Sequence, residues 1–392
     1  MTRSLRDAVF VDGARTPFGK AGPQGMYAET RSDDMVVAVI RELLRRHPEL
    51  PPERIDEVAI AATTQTGDQG LTIGRSAAIL AGLPTSVPGF AIDRMCAGAM
   101  TAVTTVASGI AFGAYDVAIA GGVEHMGHHP MGQGIDPNPR LVSDQLVDPS
   151  AMVMGSTAEN LHDRFPALTR ERADAFAAAS QQKLAKAYAD GKVQPDLVPV
   201  ATRSAEHGWG LATRDEPPRP GTTVEALAGL QPVFRPDGTV TAGNCCPLND
   251  GAAAVLVMSR EKADQLGVTP LARIVSTGLG ALSPEIMGLG PVDASRQALE
   301  RAGMTVDDVD LVEINEAFAA QVIPSYRELG IDIEKLNVNG GAIAVGHPFG
   351  MTGARITSTL LNSLQFHDKT FGLETMCVGG GQGMAMVVER LS

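Results

Sequence analysis

Cys96 stands in Asp93-Arg94-Met95-Cys96-Ala97-Gly98-Ala99-Met100, just ahead of a run of small residues that reads as a helix. A thiol at a helix N-terminus feels the positive end of the helix dipole, which favours thiolate and therefore nucleophilicity. A buried structural cysteine fits the same segment equally well. His347 lies in Gly346-His347-Pro348-Phe349-Gly350-Met351-Thr352-Gly353, a loop whose glycines let backbones approach closely. A base of that kind beside a thiol is the logic of covalent catalysis. Cys377 ends a strand-like run ahead of Val378-Gly379-Gly380-Gly381-Gln382-Gly383. That glycine run has no βαβ unit after it and no downstream acid, so it reads as close backbone approach to an oxyanion or thioester rather than as a dinucleotide fingerprint. Asn315, in Glu313-Ile314-Asn315-Glu316-Ala317-Phe318, sits where a strand turns into a helix. Its amide can orient a water, polarise a carbonyl or simply cap the helix. Glu124-His125-Met126-Gly127-His128-His129 has a single carboxylate and no ligand partner at helical spacing, and Cys245-Cys246 has no partner pair. No metal site is expected from either.

The elements that must position these groups alternate in type. Ala8 to Val11 reads as a strand, Asp34 to Arg46 as a helix, Val58 to Ala61 as a strand and Ile73 to Ala81 as a helix, which is the pattern of an α/β layered fold. From Gly132 to Asn249 the texture becomes rich in proline, glycine and polar residues, with one clear helix from Arg170 to Asp190. That stretch reads as an excursion from the core. Beyond it the first half recurs in order. Ile55-Asp56-Glu57-Val58-Ala59-Ile60 parallels Val309-Asp310-Leu311-Val312-Glu313-Ile314, each an acidic turn feeding a strand. The Cys96 segment parallels Gly346 to Arg355, and Val117 to Gly122 parallels Leu373 to Gly380. Two such halves facing each other bring equivalent loops together at the ends of sheet strands, where α/β folds build sites. Cys96, His347 and Cys377 all fall on loops of this kind.

Composition narrows the class. A chain of 392 residues with 44% hydrophobic and 20% charged residues is long enough for two or three domain-sized units around a substantial core. Four cysteines are too few for a disulfide framework, so the thiols are read as reduced and the protein as cytoplasmic. Met1 to Arg6 runs into Ala8-Val9-Phe10-Val11 without an apolar signal region, so no export signal is expected. Cys96 to Tyr115 lacks charge and is long enough to span a membrane, yet it is built of Ala, Gly, Thr and Ser and is read as a helix buried between protein layers. A net charge of -13 excludes a nucleic-acid partner and requires any anionic ligand to find local arginine or lysine.

These segments together resemble the thiolase family over essentially the whole chain. The match lies in the nucleophile segment at Cys96, Asn-Glu-Ala-Phe at Asn315 to Phe318, Gly-His-Pro at Gly346 to Pro348 and Cys-x-Gly at Cys377 to Gly379. Met154 to Asn160, Arg219 to Thr223 and Asn249 to Ala254 support it. Gly122 to Met131 resembles the degradative 3-ketoacyl-CoA branch, and Val153 stands where many acetoacetyl-CoA-type members carry His.

The resemblance implies duplicated five-stranded βαβαβαββ halves in a five-layer α-β-α-β-α sandwich with an inserted loop domain. The division expected is 1–125 plus 250–270, an insertion at 126–249, and 271–392. It further implies an acyltransferase that cleaves 3-ketoacyl-CoA by a reverse Claisen reaction in fatty-acid or related degradation. Acetoacetyl-CoA synthesis and a non-catalytic acyl-CoA or lipid-binding role are the alternatives. In this reading His347 takes the proton of Cys96, which attacks the 3-keto carbon, and Cys377 protonates the acetyl-CoA enolate and then deprotonates coenzyme A. One oxyanion is met by His347 with a water held by Asn315, the other by the N–H groups of Cys96 and Gly379. Coenzyme A is a substrate, with no tightly bound cofactor; Arg219 is expected near its nucleotide end, and Met154, Cys246, Met287 and Phe318 along the pantetheine and acyl channel. A homodimer or homotetramer is implied, and membership of a β-oxidation complex is compatible. The chain departs from the family at Asp93, Gly98 and Ala99, where Asn and Ser-Gly are usual, and at Cys246-Pro247, where Ser-Gly is common.

Overall fold

The computed structural model describes residues 5–193, 195–204 and 208–392, the side chain of Ser204 excepted, so most of the leader segment read for an export signal (1–4) lies outside the described residues. The strands are β1 (Ala8–Arg15), β2 (Gly19–Lys20), β3 (Glu57–Ala61), β4 (Gly89–Ile92), β5 (Val117–His125), β6 (Val200–Ser204), β7 (Gly208–Ala212), β8 (Asn249–Ser259), β9 (Ala272–Ala281), β10 (Leu311–Ile314), β11 (Phe371–Val378) and β12 (Gln382–Arg390). The main sheet runs β4-β3-β5-β8-β1-β9-β12-β11-β10, with β2 on β8, while β6 and β7 form a separate hairpin.

The order reads the same from both ends. β3 pairs parallel to β5 as β10 does to β11, β5 pairs antiparallel to β8 as β11 does to β12, and β8 pairs antiparallel to β1 as β12 does to β9. β4 lies parallel to β3, and Leu336 makes the matching parallel bridge to Val312 on β10. The correspondence extends to side chains. The Asp56 carboxylate accepts from the N–H groups of Asp116 and Val117 at 2.6 and 3.0 Å, which ties down the entry to β5. The Asp310 carboxylate accepts from Thr370 and Phe371 at 3.0 and 2.9 Å and does the same for β11. The acidic turns picked out in the sequence therefore have one job in both halves.

Each half-sheet is sandwiched. Outside the first lie the helices Ser32–Arg46 and Ile73–Ala81, and outside the second Gly290–Ala302 and Ala319–Leu329. Ser32–Arg46 shows why these form: Asp33 and Asp34 open it, Arg45 and Arg46 close it, and Met35, Val36, Val39, Ile40 and Leu43 bury one face. Between the half-sheets lie Gly98–Phe112 and Thr352–Phe366, whose core joins residues of both sheets. The stretch Met95–Phe112 is apolar and long enough to cross a bilayer, yet Met100, Val103, Val106 and Ile110 are fully buried in this central layer. Small residues are required there, because a side chain at Gly353 would strike the backbone of Met100. The five layers expected from the resemblance are present.

The excursion holds more order than one helix. Arg170–Ala189, capped by the Thr169 side chain, is joined by Met154–Arg164, two shorter helices and the β6–β7 hairpin. Ala158 and Leu161 carry Met154–Arg164 into an apolar cluster with Ala173, Ala177 and Phe318, a tertiary contact that the short motif did not announce. Arg15 anchors the excursion to β1. Its guanidinium grips Asp215 at 2.8 and 3.1 Å and faces Asp196 at 3.5 Å, while the Tyr188 hydroxyl donates to Asp215.

Candidate active site

Cys96 follows β4 on a tight turn. Met95 is held at φ +46°, a strained value for a side chain that long, and the Asp93 carboxylate accepts the Met95 N–H at 2.7 Å. This lifts Cys96 to the mouth of the helix Gly98–Phe112, the residue as a whole 8% exposed. The dipole argument anticipated an acidic thiol, and the structure gives the opposite. Burial pushes Cys96 up to about 12, Asp93 and Glu124 add to the rise, and hydrogen bonds from the N–H groups of Gly379 and Cys96 itself oppose it.

His347 arrives from the other half. Gly346, at φ +123°, turns the chain so that the His347 N–H donates to Asn249 Oδ1 at 3.2 Å. The ring is 1% exposed and stands edge-on to Phe349. Its Nδ1 lies 2.7 Å from Thr352 Oγ1, and that hydroxyl donates its only hydrogen to Pro348 O at 2.8 Å. Thr352 must then accept from Nδ1–H, which leaves Nε2 with a free lone pair. Asn315 Nδ2 lies 3.2 Å from Nε2. Burial and the Arg355 guanidinium bring His347 down to about 3, so the imidazole is a neutral base.

Asn315 directly follows β10, its N–H held by Thr375 O at 3.0 Å on β11. It does not cap a helix: the following helix starts at Ala319 with Phe318 in the capping position. Cys377 lies fully buried near the end of β11, and burial together with Cys96 raises its thiol well above the ordinary range. Gly379 follows, its N–H directed at the Cys96 sulfur. All four cysteines are free, and Cys246 feels Cys96, Cys377 and Cys245 electrostatically. The Cys246 N–H donates to Ala317 O at 3.0 Å, next to Phe318. Met154, Met287, Phe318 and Cys377 share one apolar cluster, with Phe234 edge-on to Phe318. Arg219 stands apart, its side chain exposed on the excursion and its N–H donated to Gln181 Oε1 at 2.8 Å.

Sequence reasoning passed over three supports. Thr352 sets the tautomer of His347, Arg355 donates to Asn315 Oδ1 at 3.3 Å, and Glu124 accepts the Gly350 N–H at 2.9 Å. Glu124 also accepts from Thr63 and Gln69, so it clamps the His347 loop to the first half. The neighbouring histidines bind Asp68, Asp250 and main-chain carbonyls. Among the described residues no group of three or more His, Cys, Asp or Glu is arranged to hold a metal.

Comparison with known proteins agrees with this architecture. Residues 8–261 match the model of the thiolase N-terminal domain and residues 268–390 that of the thiolase C-terminal domain. The 3-ketoacyl-CoA thiolases of Idiomarina loihiensis and Bacillus subtilis are each 44% identical, over 99% and 98% of this chain and the whole of theirs. The crystal structure of the Bacillus anthracis acetyl-CoA acetyltransferase superposes with a TM-score of 0.90 at 38% identity, and that of human mitochondrial 3-ketoacyl-CoA thiolase with 0.89 at 34%, both over the full length of each chain. Two half-sheets of one topology, the Cys96 turn of the first packed against the turn that follows His347 in the second, and family models covering both halves lead to one conclusion: the chain belongs to the thiolase family.

Proposed function

We propose that this chain is an acyltransferase that cleaves 3-ketoacyl-CoA with coenzyme A, giving acetyl-CoA and an acyl-CoA shorter by two carbons. The observation that carries the reading is that Cys96 and Cys377 lie close enough to act on each other electrostatically, while the turn bearing Cys96 packs against Phe349–Met351, just past the neutral His347 and its partner Asn315. His347 Nε2 takes the Cys96 proton as the sulfur attacks the 3-keto carbon. Breaking the Cα–Cβ bond leaves the acyl group on Cys96 and the enolate of acetyl-CoA, which Cys377 protonates. Cys377 then takes the thiol proton of coenzyme A, whose sulfur displaces the acyl group from Cys96 and returns the thiol. The N–H groups of Cys96 and Gly379 stabilise one oxyanion, and His347 with a water held by Asn315 the other.

Coenzyme A is a substrate in this scheme. Its pantetheine and acyl parts run past Met154, Met287 and Phe318, which the apolar cluster supports, and past Cys246, whose N–H is held by Ala317 O beside Phe318, while Arg219 meets its phosphates from the exposed face of the excursion. The working division is 1–125 with 250–270, the insertion 126–249, and 271–392. Among the described residues no strand lies beyond the terminal strand β4, which favours pairing with a second copy, so a homodimer or a pair of dimers is proposed, with association into a β-oxidation complex compatible. Four free thiols, with Cys96 and Cys377 buried, favour a reducing cytoplasm.

The test is coenzyme A-dependent loss of 3-ketoacyl-CoA enolate absorbance over short, medium and long chains. Turnover by the intact protein, abolished in Cys96→Ala, with an acyl adduct on Cys96 by mass spectrometry, is the expected result. No turnover with intact coenzyme A binding would make the protein a binding member of the fold. Turnover confined to acetoacetyl-CoA would favour acetoacetyl-CoA synthesis, a second reading suggested by the likeness to the Bacillus anthracis acetyltransferase.

A further inference from the structure

Behind the reacting groups lies a buried charge that the scheme above does not use. Arg355, on the central helix Thr352–Phe366, is 3% exposed, and one of its terminal nitrogens donates to Asn315 Oδ1 at 3.3 Å. A guanidinium is donor only, so the Asn315 atom facing it must be the oxygen. The amide nitrogen then faces His347 Nε2, which must accept. The tautomer assigned to His347 from Thr352 demands the same thing independently. A single directed chain results: Arg355 to Asn315, Asn315 to His347, His347 to Thr352, Thr352 to Pro348 O. Reversing any link would leave two donors or two acceptors face to face in a buried site.

Resting on the thiolytic reading of Cys96 and His347, we propose that Arg355 is a positioning residue, which fixes the Asn315 amide and through it keeps His347 Nε2 unprotonated, an acceptor that exchanges the Asn315 hydrogen bond for the Cys96 proton when the sulfur attacks. Its charge has a second effect in the same direction. Glu124, Glu313, Glu316 and Glu374 are carried by the elements around the site, with Cys96 and Cys377 on neighbouring segments, yet after burial the charge that acts on His347 is that of Arg355, which disfavours imidazolium. Burial and the nearby Arg15 disfavour the Arg355 charge, and Glu313, Glu316 and Asp196 around it favour it to the extent that they are ionised. The Arg355 Nε atom has no hydrogen-bond partner among the described residues, so this side chain is held by charge and by Asn315 rather than by a full set of structural bonds.

The experiment uses the full-length protein and two readouts, thiolysis and iodoacetamide alkylation of Cys96 followed by mass spectrometry. Arg355→Gln is expected to lower kcat by about 10- to 100-fold, with the KM for coenzyme A within about threefold. Its Cys96 alkylation at pH 4.5 relative to pH 7.5 should fall by up to about twofold below the wild-type ratio, because His347, still held down by burial but freed of the Arg355 charge, begins to take up a proton there. Arg355→Lys, which keeps the charge, should retain the wild-type pH ratio. Placed on Asn315→Ala, Arg355→Gln should cost less than about threefold, since its route to His347 is already cut. If Arg355→Gln misfolds, Arg355→Met, which removes the charge and the donor while filling the same space, takes its place. An unchanged pH ratio with unchanged kcat, or a full additional loss on Asn315→Ala, overturns the proposal. Absence of thiolysis in the wild type, with the alkylation pattern as expected, would overturn the proposed reaction and leave the role of Arg355 standing.

Discussion

Burial decides the resting protonation of this site. With Cys96 pushed up to about 12 and His347 brought down to about 3, the couple rests as thiol and imidazole, and the proton moves only as the sulfur bonds to carbon. The dipole of a helix N-terminus is worth about a kcal/mol, whereas full desolvation of a thiol shifts it by several units, so the environment outweighs the position. Asp93 deepens the effect. Where the family usually has Asn, this chain places a carboxylate that holds Met95 N–H as an amide would, but adds a negative charge near the nucleophile. Asp93→Asn should keep that bond and quicken Cys96 alkylation at pH 7.5 by about two- to fivefold, with the melting temperature unchanged. A slower reaction would show that the carboxylate serves the nucleophile in a way its charge does not account for.

At the level of elements, the departure at Gly98 has a steric cause. A Cβ on Gly98 would come within 2.8 Å of Ala61 Cβ, at the end of β3, so the helix Gly98–Phe112 sits too close to the first half-sheet for the family's serine. Gly98→Ser is expected to cost about 1–3 kcal/mol of stability, read as a lowered urea midpoint, and Ala61→Gly in the same chain should recover most of it. Failure of the second change to rescue the first would place the strain elsewhere. The repeat was legible beforehand because it is written locally, in acidic turns before strands and in small residues before a central helix, whereas the layer order came from the family resemblance. Thr352, Arg355 and Glu124 were not legible. Thr352 and Arg355 lie three apart on one helix, but what they touch comes from β10 and from the His347 loop, and a hydrogen-bond direction exists only once those segments meet. The helix Met154–Arg164 was likewise missed as an element, since its stability comes from packing under Phe318 rather than from its own sequence.

Across the whole molecule, the interior holds acids that shape stability against pH. Glu313 and Glu374 face each other across β10 and β11, and burial lifts both to about 8. Their unfolded counterparts titrate at about 4.3, so between those values the folded chain binds protons that the unfolded chain has released. These groups therefore contribute stability below about pH 4.3 that is lost progressively as pH rises to about 8. Glu374→Gln, which can keep its contact with Thr357, should flatten that slope and melt higher than wild type at pH 9; parallel curves for the two proteins would refute the assignment. The strand order carries a different consequence, for how the chain comes to be folded. β1 has β8 on one side and β9 on the other, and both lie beyond the excursion. During synthesis from the N-terminus, Ala8–Arg15 meets neither neighbour until about the last third of the chain is being made. The first half-sheet is thus sealed by a strand made after the inserted segment, and the exposed ladder of β1 is the part of the nascent protein that most needs shelter from other chains.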